Sequence, residues 1–210
     1  MVPVEYDAII LAGGQARRMG GQDKPGLTVG GRPLVELVAA AVAGARLLVV
    51  VGPPRNLPGA IVVREDPPGG GPVPALRAGL AEVSAPLVAL LAGDLPLIRP
   101  EHVTALRRAV TETGTAAVAR AAAATGAAAA TGIAAVTGAV LLDDSGREQW
   151  LAGVWRTEAL RAALTAYTGH SLHGLLAPLA PLRLTLPGTP WFDCDTPDEL
   201  DLAQRLNRTG

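Results

Sequence analysis

Two kinds of apolar pattern alternate along the first half of the chain. DAIILAG (7–13) is a near-continuous apolar run ending in glycines, which predicts a buried strand. PLVELVAAAVAG (33–44) spaces its apolar residues with a helical period and stops at a glycine. RLLVVVG (46–52) and GAIVVRED (59–66) are β-branched runs and predict a second and a third strand. VPALRAGLAEV (73–83) predicts an amphipathic helix, and PLVALLAGDLP (86–96) a fourth strand ending in an acidic turn. PEHVTALRRAVTETG (100–114) predicts a helix with Pro at its start and Gly at its end. Apolar strands separated by helices imply a doubly wound, mostly parallel α/β sheet with helices on both faces, a three-layer sandwich. Such sheets bind ligands at the carboxyl ends of their strands. The glycine loop after the first strand and Asp94 after a later one therefore belong on one edge.

The second half is less regular. Residues 116–137 are nearly all Ala, Thr, Gly and Val, and read as a low-complexity, poorly specified insert or as a weak strand pair around an Ala-rich turn. GAVLLDD and REQWLAGVWRTEAL predict a strand, a turn, a second strand and the start of a helix. SLHGLLAPLA predicts a short helix and LRLTLPG a strand. TPDELDLAQRL predicts a closing helix, with Thr196 as N-cap, Pro197 at the first helical position and Glu199 completing a capping box. With no repeat and no linker, residues 1–210 are expected to form a single domain.

Composition narrows the function classes. The chain has 210 residues, 49% apolar, which suffices for a sizeable core. Its formal net charge of −1 argues against a nucleic-acid partner bound through basic excess. No apolar run is long enough to span a bilayer, so no membrane partner is expected, and the start MVPVEYDAII lacks the basic region of a signal peptide. Cys194 is the sole cysteine, which fits a reducing, cytoplasmic location.

The candidate chemistry begins at LAGGQARRMGGQDK (11–24). A strand followed by a glycine loop aims backbone N–H groups at an anion, and Arg17, Arg18 and Lys24 add donors suited to phosphate. The spacing is neither GxGxxG nor GxxxxGK[ST], so a dinucleotide fingerprint and a P-loop are both disfavoured.

The same string resembles the loop LAGG-x-[SA]-x-RMG-xx-K of the molybdenum cofactor guanylyltransferases. DPPGGGPVPALRAGL (66–80), AGDLPLI (92–98), REQWLAGVWR and FDCDTPDEL are similar to further segments of that family, in the family's order. The resemblance implies a Rossmann-like nucleotidyltransferase fold, with a nucleotide-binding N-terminal half and an acceptor-binding C-terminal half. It implies GMP transfer from GTP to the terminal phosphate of molybdopterin, with release of pyrophosphate and a need for Mg²⁺. Molybdoenzymes or cofactor-synthesis proteins are then transient partners. Arg18, Lys24 and Asp94 are implied as catalytic residues. Leu11, Ala12, Gly13, Gly14, Lys24, Asp66 and Asp94 are implied to hold the nucleotide. Asp94 is implied as a Mg²⁺ ligand, a hard cation that takes one or two carboxylates plus phosphate oxygens. Asp66 can otherwise start a turn before Pro67, and Asp94 can otherwise cap one.

Asp195 is either a second metal ligand or a support for the last helix. DCD (193–195) resembles the related cytidylyltransferases, whereas the opening LAGG resembles the guanylyl members. Related readings are therefore an enzyme using CTP or another phosphorylated acceptor, and a silent nucleotide-binding homologue. The chain departs from the family where Ala16 replaces a frequent Ser, where Pro74 and Arg77 stand at a loop–helix junction, and where Gln149 and Trp150 replace a His-Pro pair. Trp150 can pack or stack on a pterin. His102, His170 and His173 show no metal-binding spacing, and Cys194 reads as a buried small residue.

Overall fold

A computed structural model describes residues 4–13, 15–16, 22–125 and 136–207. The elements in chain order begin with β1 (Tyr6–Leu11), two short antiparallel pairs β2 (Gln15–Ala16) with β3 (Gln22–Asp23) and β4 (Thr28–Val29) with β5 (Arg32–Pro33), and α1 (Leu34–Ala41). They continue with β6 (Leu48–Val51), β7 (Ala60–Val63), α2 (Pro72–Glu82), β8 (Leu87–Ala92) and α3 (Pro100–Thr125). The second half adds β9 (Gly138–Leu142), β10 (Glu148–Arg156), α4 (Thr157–Ala166), α5 (Leu172–Leu176), β11 (Leu182–Leu184) and α6 (Pro197–Asn207).

Seven strands form one sheet in the order β11-β9-β10-β8-β1-β6-β7. β7, β6, β1 and β8 run parallel, and β11 runs parallel to β9. β10 alone is antiparallel to its neighbours. The apolar runs of β1, β6 and β8 are buried because both sheet faces are covered. Ala8, Ile10, Ala89 and Leu91 pack with Val35 and Val38 of α1 and Val103, Leu106 and Val110 of α3. Ile9, Leu11, Val88 and Leu90 pack on the other face with Leu76 and Leu80 of α2, Leu160 of α4 and Leu175 of α5. Alternation along each strand thus divides one sheet between two helical layers. No helix among the described residues is long and apolar enough to cross a membrane.

β1 continues to the left into β6 and β7, and the chain then crosses back to place β8 on the right of β1. The reversal opens a crevice at the carboxyl ends of β1 and β8, where Leu11 lies opposite Ala92. The other edge of the same strand carries a buried carboxylate. Asp7 is fully buried and accepts from Arg46 Nε at 3.1 Å, Arg46 Nη2 at 2.8 Å, and the backbone N–H groups of Ser84 and Ala85 at 2.8 Å. Burial alone would raise its pKa, but the Arg46 bonds and the two amides outweigh it and hold the carboxyl below its ordinary value.

Two expectations need correction. The helix expected to stop at Gly114 runs on to Thr125. Residues 116–125 are thus helical, not a strand pair: alanine is the best helix former, and one glycine costs only about 1 kcal/mol. The rest of the Ala-rich segment, 126–135, lies outside the described residues. The strand expected over LRLTLPG is confined to Leu182–Leu184.

β10 also carries an irregularity that its sequence does not announce. Its register against β9 shifts between Gln149 and Gly153. Trp150 and Leu151, neighbours that a regular strand would send to opposite faces, both pack on the α2 side.

Candidate functional site

The close approach in this crevice is made against the first loop by Gly52, just after β6. Ala12 N donates to Val51 O at 2.8 Å, so the chain leaving β1 stays against the end of β6. A Cβ at Gly52 would lie 2.7 Å from the Ala12 carbonyl, and only glycine leaves that turn undisturbed. Gly93 N donates to Leu11 O at 3.0 Å, which brings Asp94 beside the same loop.

Lys24 opens a short helical turn over Lys24–Gly26 and reaches back over the crevice. Its ammonium forms ion pairs with both Asp94 and Asp195. Lys24 and Asp94 are largely enclosed, with 12% and 16% side-chain exposure, whereas Asp195 keeps 43%. Burial would lower the Lys24 pKa; the charges and hydrogen bonds of Asp94 and Asp195 overcome this and raise it, so the lysine stays cationic.

Asp195 arrives from the far end of the chain, in the turn before α6. The expected capping box is present: Glu199 N donates to Thr196 Oγ1 at 3.3 Å, and Glu199 Oε2 accepts from Asp195 N and Thr196 N at 2.8 Å. In the extended DCD stretch, Asp193 and Asp195 turn to the crevice while Cys194 turns inward to pack with Val29, Leu34, Leu37 and Ala203. Burial first, and the Asp94 charge next, push the Cys194 thiol up to about 12, so it is a protonated packing residue.

Asp94, Asp193 and Asp195 offer carboxylate oxygens that all lie within 4.8 Å of one another. Among the described residues, the Lys24 ammonium is paired with two of these three crowded carboxylates. Asp193 keeps an open side toward solvent, yet lost hydration against the surrounding protein, then the charges of Asp94 and Asp195, raise its carboxyl above the ordinary value. An all-oxygen, electron-rich donor set of this kind suits a hard divalent cation. Asp94 is the expected ligand and Asp195 the residue left between ligand and helix support; Asp193 joins them by position, signalled by the i, i+2 spacing in DCD.

A cleft of about 580 Å³ adjoins this cluster, lined by Leu11 and Gly13 of the first loop, Arg64 and Glu65 beyond β7, Asp94, and Leu151 of the bulge in β10. Ala12, between two lining residues, is itself buried, its carbonyl accepting from Arg55 Nη2 at 3.2 Å. Asp66 is exposed, and its neighbour Glu65 is the carboxylate that lines the cleft. Gly14 and Arg18 lie outside the described residues. His102 is buried among its own helix start, its Nδ1 accepting from Arg99 N at 3.0 Å, and burial lowers its pKa. His173 meets Trp150 edge-to-face, ring centres 5.7 Å apart. No histidine belongs to a metal-ligating cluster among the described residues.

A doubly wound sheet with a glycine turn, a lysine and clustered carboxylates at its switch point defines a nucleotide-handling α/β protein. The chain belongs to the MobA-like NTP transferase domain family, whose model matches residues 8–183. A probable molybdenum cofactor guanylyltransferase of Mycobacterium avium is 30% identical over 195 residues, covering 88% of this chain and 87% of that relative. The molybdenum cofactor guanylyltransferase of Vibrio atlanticus is 33% identical over 124 residues, which span 57% of this chain and 64% of that relative. The structure of molybdopterin-guanine dinucleotide biosynthesis protein A from Archaeoglobus fulgidus superposes with a TM-score of 0.64 over 97% of this chain and all of that one. At 17% identity that likeness speaks for the fold alone.

Proposed function

We propose that this protein transfers GMP from GTP to the terminal phosphate of molybdopterin, releasing pyrophosphate and forming the guanine dinucleotide of the cofactor. The observation that carries the reading is the meeting of Lys24, Asp94, Asp193 and Asp195 beside a cleft at the switch point, in a chain similar over most of its length to a probable guanylyltransferase. The cleft takes the nucleoside, with Leu11, Ala12, Gly13 and Gly14 against it and Asp66 at its outer loop. Lys24 and Arg18 neutralise the triphosphate as charge develops on the leaving pyrophosphate. Asp94 with Asp195, and Asp193 beside them, would hold Mg²⁺, which when bound draws charge from the phosphate oxygens. Lys24, held cationic by Asp94 and Asp195 before the nucleotide arrives, can exchange these carboxylates for phosphate oxygens. A cytoplasmic location belongs to this reading, supported by a cysteine that stays buried and unpaired.

The test is pyrophosphate release in the presence of Mg²⁺ and molybdopterin, with each NTP supplied in turn. Release with GTP and little with the others is the expected result. A preference for CTP would move the assignment to the related cytidylyltransferases, to which the DCD stretch is similar. Nucleotide binding without release would make the protein a silent homologue.

A further inference from the structure

The cleft has two chemically distinct ends. Asp94 follows β8 and Glu65 follows β7, with β1 and β6 between these strands, and the Glu65 side chain leans inward over the first loop. With triphosphate and cation at the Asp94 end, the far end receives the base. There the loop from Glu65 to Gly71 folds back, and Gly69 N donates to Glu65 Oε1 at 2.8 Å. The carboxylate reaches the first loop, since a Cβ at Gly13 would lie 3.8 Å from Glu65 Oε1. Its other oxygen, Oε2, is enclosed by protein and has no hydrogen-bond partner among the described residues.

A carboxylate oxygen enclosed in this way forfeits its hydration without replacement, which is unfavourable unless a donor arrives. The last torsion of glutamate is broad and soft, so a small turn presents the carboxylate edge to the cleft. We infer that Glu65 selects guanine, its carboxylate accepting from the ring N1–H and the exocyclic 2-amino group. A carboxylate is acceptor-only with about four lone-pair sites, so one remains for Gly69 N. Cytosine offers one amino donor beside an acceptor ring nitrogen, and its pairing edge sets that nitrogen against the carboxylate. The base is thereby chosen by a side chain as well as by the backbone of the first loop. The inference rests on the reading of the cleft as a GTP site.

Two nucleotide changes isolate the contact. Inosine triphosphate lacks the 2-amino group, and xanthosine triphosphate carries a carbonyl in its place. Binding of GTP, ITP, XTP and CTP with Mg²⁺ is measured by titration calorimetry, without acceptor, for the natural protein and for Glu65→Gln. The natural protein is expected to bind GTP about ten- to a hundred-fold more tightly than ITP, the range of one hydrogen bond to a charged group. Glu65→Gln keeps an acceptor for Gly69 N but places an amide NH₂ opposite the 2-position. It is expected to bring GTP down to the level of ITP and to improve XTP, a gain that a damaged fold does not produce. An unchanged GTP:ITP ratio in Glu65→Gln, or no gain for XTP, overturns the inference. Equal loss for every nucleotide also overturns it, and leaves Glu65 as a clip for the 65–69 loop. Because no acceptor is present, selective guanine binding through Glu65 survives even if the turnover assay rejects molybdopterin; turnover with an unchanged ratio rejects Glu65 alone.

Discussion

Two acidic sites sit at opposite edges of the same sheet and are built on opposite plans. At the amino edge, Asp7 meets a guanidinium and two backbone amides, and its charge is matched. At the carboxyl edge, Asp94, Asp193 and Asp195 crowd within 4.8 Å of one another, with Lys24 paired to Asp94 and Asp195. The matched carboxylate is pushed down in pKa, whereas in the crowded group Asp193 is pushed up. A satisfied buried charge holds the fold; a crowded one is tolerated where something has to bind.

Exchanging the two roles should fail, and the size of the failure sharpens the contrast. Asp7→Ala strips Ser84 N and Ala85 N of their acceptor and should cost about 3 kcal/mol or more in denaturant unfolding, with pyrophosphate release per folded molecule little changed. Asp94→Ala should do the reverse: release falls by about 10²–10³-fold or more, while the unfolding midpoint holds or rises as like charges are thinned. Near-normal release from that variant would remove Asp94 from the metal site. Gly52→Ala drives a Cβ to 2.7 Å from the Ala12 carbonyl, and the displaced loop should lower kcat/KM for the nucleotide by about ten- to a hundred-fold.

Smaller effects separate the two readings of Asp195. Glu199→Ala frees Asp195 N and Thr196 N and should cost about 1 kcal/mol. If Asp195 holds the cation, the half-saturating Mg²⁺ concentration also rises several-fold; loss of stability with unchanged Mg²⁺ dependence would make Asp195 a helix support only. The smallest effect is in pH. The folded pKa of Asp7 lies below its ordinary 3.8, so its contribution is present above that value and fades as pH falls through the folded pKa. In Asp7→Asn the slope of stability against pH should flatten below about pH 4, and an unchanged slope would detach Asp7 from acid unfolding.

The parallel core was legible because both of its faces are covered, leaving long apolar runs such as DAIILAG and PLVALLA. The capping box at Thr196 and Glu199 was legible because its chemistry is local. Lys24, Asp94 and Asp195 were legible as separate motifs, but their meeting depends on a fold that joins residues 171 positions apart. The bulge at Trp150 and Leu151 escaped because one strand's register is written in its neighbour. Asp7 escaped because a charge inside an apolar run reveals its worth only when Arg46, Ser84 and Ala85 are brought to it. That Glu65 lines the cleft while its neighbour Asp66 is exposed was not legible, since residue types along a loop do not say which of two adjacent carboxylates turns inward.

The DCD turn also ties distant stretches of the chain together. Lys24 precedes α1 and Asp94 follows β8, whereas Asp193 and Asp195 stand in the segment leading into α6. Cys194 between them packs with Ala203 of α6, so the acidic cluster is complete only with α6 in place. A substitution that loosens α6, away from the cleft, therefore also disperses the carboxylates.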